Sequence, residues 1–117
     1  MNNKGKQWEI AAANYLRKKK FKLIESNYTT RFGEVDLIVA NKKYLCFVEV
    51  KQRDINSIAA PAEFVGYSKQ RKLSAAAQLY LANNSTALQP RFDVIEIYTE
   101  NSSVKSIKHL ENAFDLV

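Results

Sequence analysis

The alternation of apolar and polar residues predicts two neighbouring β-strands in the first half of the chain. The segments Glu34 to Val39 and Tyr44 to Lys51 are dense in β-branched and aromatic residues. A polar pair, Asn41-Lys42, separates them. This pattern predicts a β-hairpin, because strands joined by so short a polar loop pair in antiparallel fashion.

The length of the hairpin loop decides which residues face each other. A loop of two residues and a loop of four residues predict the same register, with Glu34 opposite Glu49 and Asp36 opposite Phe47. Asp36 and Glu49 are then diagonal neighbours on one face, roughly 7–8 Å apart. An odd loop without a bulge would place them on opposite faces instead.

The rest of the chain predicts two helices and three further strands within one domain spanning residues 1–117. Helices are expected over Lys4 to Lys20 and from Lys69 to about Ala82, with Ser68 as the cap of the second, and strands over Phe21 to Thr30, Arg91 to Tyr98 and Val104 to Leu110. The order of one helix, three strands, one helix and two strands predicts an α/β fold. In this fold a mixed central sheet is flanked by helices.

Charged side chains on the predicted hairpin point to a metal site. Two facing carboxylates among apolar residues repel each other and lose hydration, and a divalent cation removes both costs. Oxygen-only ligands suit Mg²⁺ or Mn²⁺, whereas Zn²⁺ prefers Cys or His, and the chain has only Cys46 and His109. Lys51 lies two residues beyond Glu49 on the same face, where it could hold or deprotonate a water on the metal. Together with Asp36, this set predicts metal-assisted hydrolysis.

These residues resemble the D…ExK signature of the PD-(D/E)xK nuclease superfamily, which includes restriction endonucleases and archaeal-type Holliday-junction resolvases. Asp36 is followed thirteen residues later by Glu49-Val50-Lys51. A longer set of segments, GEVDLI, FVEVKQR, Lys69, RFDVI and NAF, resembles the uncharacterised bacterial YraN-like family from Gly5 to Phe114. The resemblance implies a restriction-endonuclease-like core.

The resemblance also implies roles for Asp36, Glu49 and the residues around them. Asp36, Glu49 and the backbone carbonyl of Val50 would bind Mg²⁺, with Glu9 as a further ligand, directly or through water. Glu9 has a second interpretation, as a first-turn glutamate favoured by the helix dipole. Gln52 matches a residue that positions water or phosphate, or is a polar strand end. The catalytic set is then Asp36, Glu49, Lys51 and Gln52, with Glu34 as a secondary candidate.

The charge balance favours a polyanionic partner. Eighteen Lys and Arg against twelve Asp and Glu give a formal net charge of +6. Lys69, Arg71 and Lys72 crowd the first turn of the second predicted helix, where cations oppose the helix dipole, so either they bind an anion or they serve solubility. Together with Arg53 they are the predicted nucleic-acid-binding residues.

The sequence predicts a cytoplasmic protein that does not enter a membrane. No apolar run approaches the length of a membrane span, and MNNKGKQWE lacks the apolar core of a signal peptide. Cys46 is expected to be a small buried hydrophobe, and His109 is expected to be structural. Asp93 is expected to pair with Arg91 or bond locally, without a catalytic role.

Three functions fit these observations. The first is a metal-dependent endonuclease acting on DNA, with branched or otherwise structured DNA as a candidate substrate. By analogy with two-fold resolvases, it could be a homodimer. The second is a non-catalytic nucleic-acid-binding module with a nuclease-like fold. The third is a structural or protein-interaction domain in which the acidic residues pair with Lys51 and Arg53.

Overall fold

A five-stranded mixed sheet with one helix on each face forms the protein. The structure is a computed structural model that describes residues 4–56 and 65–115. Its elements are α1 (Lys4–Lys18), β1 (Lys22–Thr29), β2 (Glu34–Ala40), β3 (Tyr44–Asp54), α2 (Tyr67–Asn83), β4 (Gln89–Glu100) and β5 (Ser103–Phe114). The predicted order of helices and strands and the mixed α/β architecture are confirmed.

The strands are arranged in the sheet in the order in which they occur in the chain, from β1 to β5. Only β3 and β4 are parallel, and the other neighbours are antiparallel. Parallel strands need a crossover connection, and α2 lies in the segment that provides it. None of the helices in the described part of the chain is long and apolar enough to cross a membrane.

Each face of the sheet carries its own hydrophobic core, because successive strand residues point to opposite sides. The α1-side core consists of Ala12, Ala13, Leu16, Phe21, Leu37, Val39, Cys46, Val48, Ile95 and Ile97. The α2-side core consists of Val35, Ile38, Leu45, Phe47, Val65, Leu73, Ala76, Ala77, Tyr80, Phe92 and Val94. The middle of β3 is therefore covered by helices on both faces.

The predicted hairpin exists, but its register is shifted by two residues. Leu37 pairs with Val48 and Ile38 with Phe47, whereas the sequence predicted Asp36 opposite Phe47. The pairs end at Leu37 and Val48, so Asp36 and Glu49 follow directly after the paired part of the hairpin. A two-residue shift preserves the faces.

A side-chain turn at Asn41 explains the shift. Its carboxamide oxygen accepts hydrogen bonds from the backbone N–H of Lys43 (2.9 Å) and of Tyr44 (2.7 Å). Its own N–H donates to the Tyr44 carbonyl at 3.0 Å. The loop is therefore Lys42-Lys43, one residue further along than the predicted pair.

The other corrections concern element boundaries. Helix α2 begins at Tyr67 with Gly66 as its N-cap, so Ser68 lies inside the helix and does not cap it. The last strand extends to Phe114, whose ring stacks on that of Phe92 with centroids 4.8 Å apart. Stacking on the α2-side core thus keeps the residues after Leu110, where the predicted strand ends, in the sheet.

Candidate functional site

The site forms where the alternation of β2 breaks down. Val35 and Ile38 both pack in the α2-side core, although three residues apart in a regular strand they would face opposite sides. Leu37, two residues after Val35, packs in the α1-side core. The change of face falls at Asp36, a half-buried residue that is directed toward α1 and toward β3.

Gly33 explains part of this local geometry. A Cβ atom at Gly33 would lie 3.1 Å from the Cβ atom of Lys72 and 3.3 Å from its carbonyl oxygen. The backbone of the turn therefore contacts α2 more closely than a side chain would easily allow. This contact holds the start of β2 against α2, whereas the neighbouring Glu34 and Asp36 are directed toward Glu9 of α1.

Three carboxylates converge at the start of β2. One ligand oxygen each from Glu9, Glu34 and Asp36 lies within 4.8 Å of the others. Glu9 comes from α1, so the helix and the strand supply the set together. The sequence predicted Glu34 opposite Glu49, and the structure instead places it beside Glu9 and Asp36.

Asp36 also connects this group to β3. One of its carboxylate oxygens accepts a hydrogen bond of 2.8 Å from the backbone N–H of Val50. In a strand the N–H and the C=O of one residue point toward the same neighbouring strand. The Val50 carbonyl, a predicted metal ligand, is therefore directed toward the Asp36 side of β3.

Glu49 is the most unusual carboxylate of the site. Its side chain is only 11% exposed, and one oxygen lies 3.8 Å from the Lys69 ammonium of α2. Its other oxygen, Oε2, is buried and has no hydrogen-bond partner among the described residues. A buried carboxylate oxygen without a partner costs free energy that a bound cation would recover.

Burial and mutual repulsion shift the titration of both central carboxyls. Burial raises the pKa of Asp36 to about 6, although the hydrogen bond from Val50 acts in the opposite direction. Burial and the neighbouring charge of Asp36 raise the pKa of Glu49 to about 7, while Lys69 and Lys51 oppose the shift. Because the two carboxylates repel each other when both are ionised, the pair favours holding a proton near neutral pH.

The predicted catalytic residues are only partly brought together. Lys51 is half-buried and close enough to Glu49 for its charge to act on that carboxyl. The Gln52 amide instead donates a 2.7 Å hydrogen bond to the Thr99 hydroxyl. Since successive strand residues face opposite sides, Gln52 is on the face opposite Lys51.

The predicted nucleic-acid-binding residues occupy two different environments. Lys69, Arg71 and Lys72 are exposed on the first turns of α2. Arg53 is only 17% exposed and forms a 3.0 Å ion pair with Glu96, whose side chain is 2% exposed. Sequence reasoning did not single out Glu96, yet a glutamate that shares a strand face with apolar Val94 is a recognisable signal of a buried ion pair.

A second polar cluster lies under α1. Asp93 is 1% exposed and accepts two hydrogen bonds from the Arg91 guanidinium, each 2.9 Å long, as the sequence predicted. It also accepts one from the His109 Nε2–H at 2.7 Å and one from the Asn112 N–H at 3.0 Å. The Lys19 ammonium donates to His109 Nδ1 at 2.9 Å, which assigns the ring proton to Nε2. This cluster joins β4 and β5 to Lys19, the residue that follows α1.

Comparison with known proteins places this chain in a family. A family model described as Uncharacterised protein family UPF0102 matches residues 8–97. A UPF0102 protein of Caldanaerobacter subterraneus subsp. tengcongensis is 42% identical over 113 residues, covering 94% of this chain and 93% of the relative. A UPF0102 protein of Clostridioides difficile is 40% identical over 117 residues, covering 97% of this chain and 100% of the relative. The chain therefore belongs to the UPF0102 family, which is the YraN-like family that its sequence motifs resemble.

Proposed function

We propose that this protein is a metal-dependent phosphodiester hydrolase with a restriction-endonuclease-like core that cleaves DNA. The observation that carries the proposal is the buried Glu49 Oε2, which has no hydrogen-bond partner among the described residues and lies beside a second carboxyl, Asp36. The two carboxyls supply oxygen ligands for a cation, and the lysine two residues further on supplies a group that can transfer a proton, which together suit metal-assisted hydrolysis.

The donor set fits Mg²⁺ or Mn²⁺. All candidate ligands are oxygen atoms, which hard divalent cations prefer. Glu9, Asp36, Glu49 and the Val50 carbonyl would hold the ion, with Glu34 as an additional carboxylate. Glu9, Glu34 and Asp36 converge within 4.8 Å, and Asp36 connects them to Glu49 and Val50 of β3. When bound, the ion supplies electrostatic stabilisation of the charge that develops on the phosphate oxygens.

The chain's own residues provide the remaining functions of such a site. Lys51 would hold the attacking water on the face of β3 that carries Glu49 and accept or relay its proton during in-line attack on phosphorus. Lys69, 49% exposed and 3.8 Å from Glu49, would bind the backbone phosphate that enters the site. Phosphate contacts of this kind carry no sequence information.

The test combines metal titration and cleavage assays. We expect Mn²⁺ to bind the wild type but not Asp36→Asn in isothermal titration calorimetry. Lys51→Ala should bind Mn²⁺ yet cleave DNA at least about 100-fold more slowly, which is the usual contribution of a proton-transferring group. Glu25→Gln, which alters an exposed carboxylate of β1, is the control and should behave as the wild type.

Two results would count against the hydrolase. Equal cleavage by the wild type, Asp36→Asn and Lys51→Ala would identify a contaminating nuclease. Salt-dependent DNA binding in EDTA without cleavage in Mg²⁺ or Mn²⁺ would support a non-catalytic nucleic-acid-binding module instead.

A further inference from the structure

Two large aromatic side chains are exposed beside the acidic site, and each has an arginine close to its ring. Phe32 is 42% exposed, and the guanidinium carbon of Arg31 lies 4.8 Å from its ring centroid. Tyr67 is 66% exposed, and the guanidinium carbon of Arg71 lies 6.0 Å from its ring centroid. Exposed aromatic rings combined with arginines form flat, positively charged surfaces.

A shallow groove of about 290 Å³ runs between the turn before β2 and the start of α2. Its lining residues are Phe32, Ser68, Arg71, Lys72 and Ala75. The groove therefore has an aromatic ring on one side and two cations on the other.

The groove adjoins the carboxylates of the candidate site. Phe32 is separated from Glu34 only by Gly33, whose backbone packs against Lys72. One turn earlier on α2, the Lys69 ammonium lies 3.8 Å from Glu49. A chain of phosphates that follows Lys72 and Lys69 would thus lead from the groove to the acidic residues.

The exposed aromatic rings and the clustered basic residues of this surface are both unfavourable in the isolated protein. An exposed aromatic ring gives up the stabilisation that burial would provide. Lys69 lies in the first turn of α2, where the positive end of the helix dipole repels it, and Arg71 and Lys72 add positive charge in the next turn. The N-cap, Gly66, has no side chain to bind the free N–H groups. A ligand with flat faces and negative charge relieves both.

We propose that this groove and the ring of Tyr67, which precedes the groove residue Ser68, bind unpaired nucleotides, with bases stacking on Phe32 and Tyr67 and phosphates bound by Arg71 and Lys72. Bases inside a duplex already stack on each other and do not present their faces, so the surface selects single-stranded segments. The inference rests on the proposed function for its chemistry. It adds the substrate class, namely a strand with unpaired bases next to the scissile phosphate.

Fluorescence anisotropy in EDTA tests the groove independently of cleavage. The probes are a short labelled oligothymidylate, its uridylate counterpart and a duplex of the same length. We expect Phe32→Ala and Tyr67→Ala to weaken binding of the single strands about 10- to 100-fold each, since one stacked base is lost. Phe32→Trp and Tyr67→Phe, which keep the ring, should bind as the wild type. Val104→Ala is the matched control, because it shortens an equally exposed apolar side chain (43%) on the far edge of the sheet.

The outcomes separate this inference from the proposed function. The stacking surface would be refuted if both alanine variants bind oligothymidylate and oligouridylate as the wild type does. It would also be refuted if Val104→Ala loses as much binding as they do. A wild type that binds neither single strand would overturn it as well. If the two alanine variants lose duplex binding as much as single-strand binding, the groove is a general phosphate surface and strand selection is refuted. Circular dichroism melting of each variant checks folding. The metal and cleavage measurements decide the hydrolase separately, because none of the anisotropy experiments requires an ion.

Discussion

Replacing Glu49 by glutamine should make the metal-free protein more stable and abolish metal binding. The pKa of Glu49 is raised from its ordinary 4.5 to about 7, so ionisation of this carboxyl opposes folding. A carboxyl whose pKa is raised in the folded state stabilises the protein in acid. That stabilisation is lost as pH rises from the unfolded pKa through the folded pKa.

The size of the effect follows from the shift. Each pKa unit corresponds to about 1.4 kcal/mol, so Glu49 alone would cost the wild type about 2–3 kcal/mol between about pH 5 and pH 8. The variant also loses the interaction of Glu49 with Lys69, whose side chain is 49% exposed. This loss reduces the gain in stability. We therefore expect Glu49→Gln to exceed the wild type by about 2 kcal/mol in unfolding free energy near pH 8, and by less than about 1 kcal/mol near pH 5.

Urea denaturation in EDTA and in excess Mn²⁺ measures both halves of the prediction. At a Mn²⁺ concentration about 100 times its dissociation constant, the wild type should gain about 2.7 kcal/mol, and Glu49→Gln should gain almost nothing. The order of stability therefore reverses when the ion is added. Glu25→Gln should follow the wild type in every condition, since Glu25 is exposed. A difference between Glu49→Gln and the wild type that is the same at both pH values, or equal stabilisation of both by Mn²⁺, would refute the reasoning.

Two further predictions address the proton of the pair and the second polar cluster. Because the raised pKa values of Asp36 and Glu49 keep a proton on the pair below about pH 7, Mn²⁺ binding near pH 6 should release it. Calorimetry in buffers of different ionisation enthalpy should detect this proton, and binding without proton release would contradict the shared site. Asp93→Ala should lower the unfolding free energy by about 3–5 kcal/mol, since it leaves the buried Arg91 and His109 without their acceptor. Thermal melting measures this loss, and a variant as stable as the wild type would show that the cluster contributes nothing to the fold.

The sequence predicted the order of elements and the proximity of Asp36 to Glu49. Strand periodicity placed Asp36 and Glu49 on neighbouring strands. The observed register differs from the predicted one by two residues, an even number that keeps the faces of the paired residues Leu37 to Ala40. The shift itself was predictable in principle. Asn41 accepts hydrogen bonds from the two backbone N–H groups that follow Lys42, which is the usual behaviour of asparagine before a tight turn.

The change of face at Asp36 was not predictable from the pattern of the strand. It depends on the contact between Gly33 and Lys72, residues far apart in the chain, and on the packing of Val35 against α2. Periodicity describes a regular strand, whereas this departure is a tertiary effect. The convergence of Glu34 on Glu9, rather than on Glu49, has the same origin.

Two buried carboxylates in this sheet provide an internal comparison. Asp93 accepts four hydrogen bonds, and although burial raises its pKa, the bonds from His109, Arg91 and Asn112 outweigh burial and lower it. Glu49 is 11% exposed, and burial and the neighbouring charge of Asp36 raise its pKa. One of its buried oxygens has no hydrogen-bond partner in residues 4–56 and 65–115. The fold is therefore able to satisfy a buried carboxylate fully with its own donors. The contrast between Asp93 and Glu49 supports the proposal that the open Glu49 oxygen binds a ligand, and a divalent cation matches its charge and chemistry.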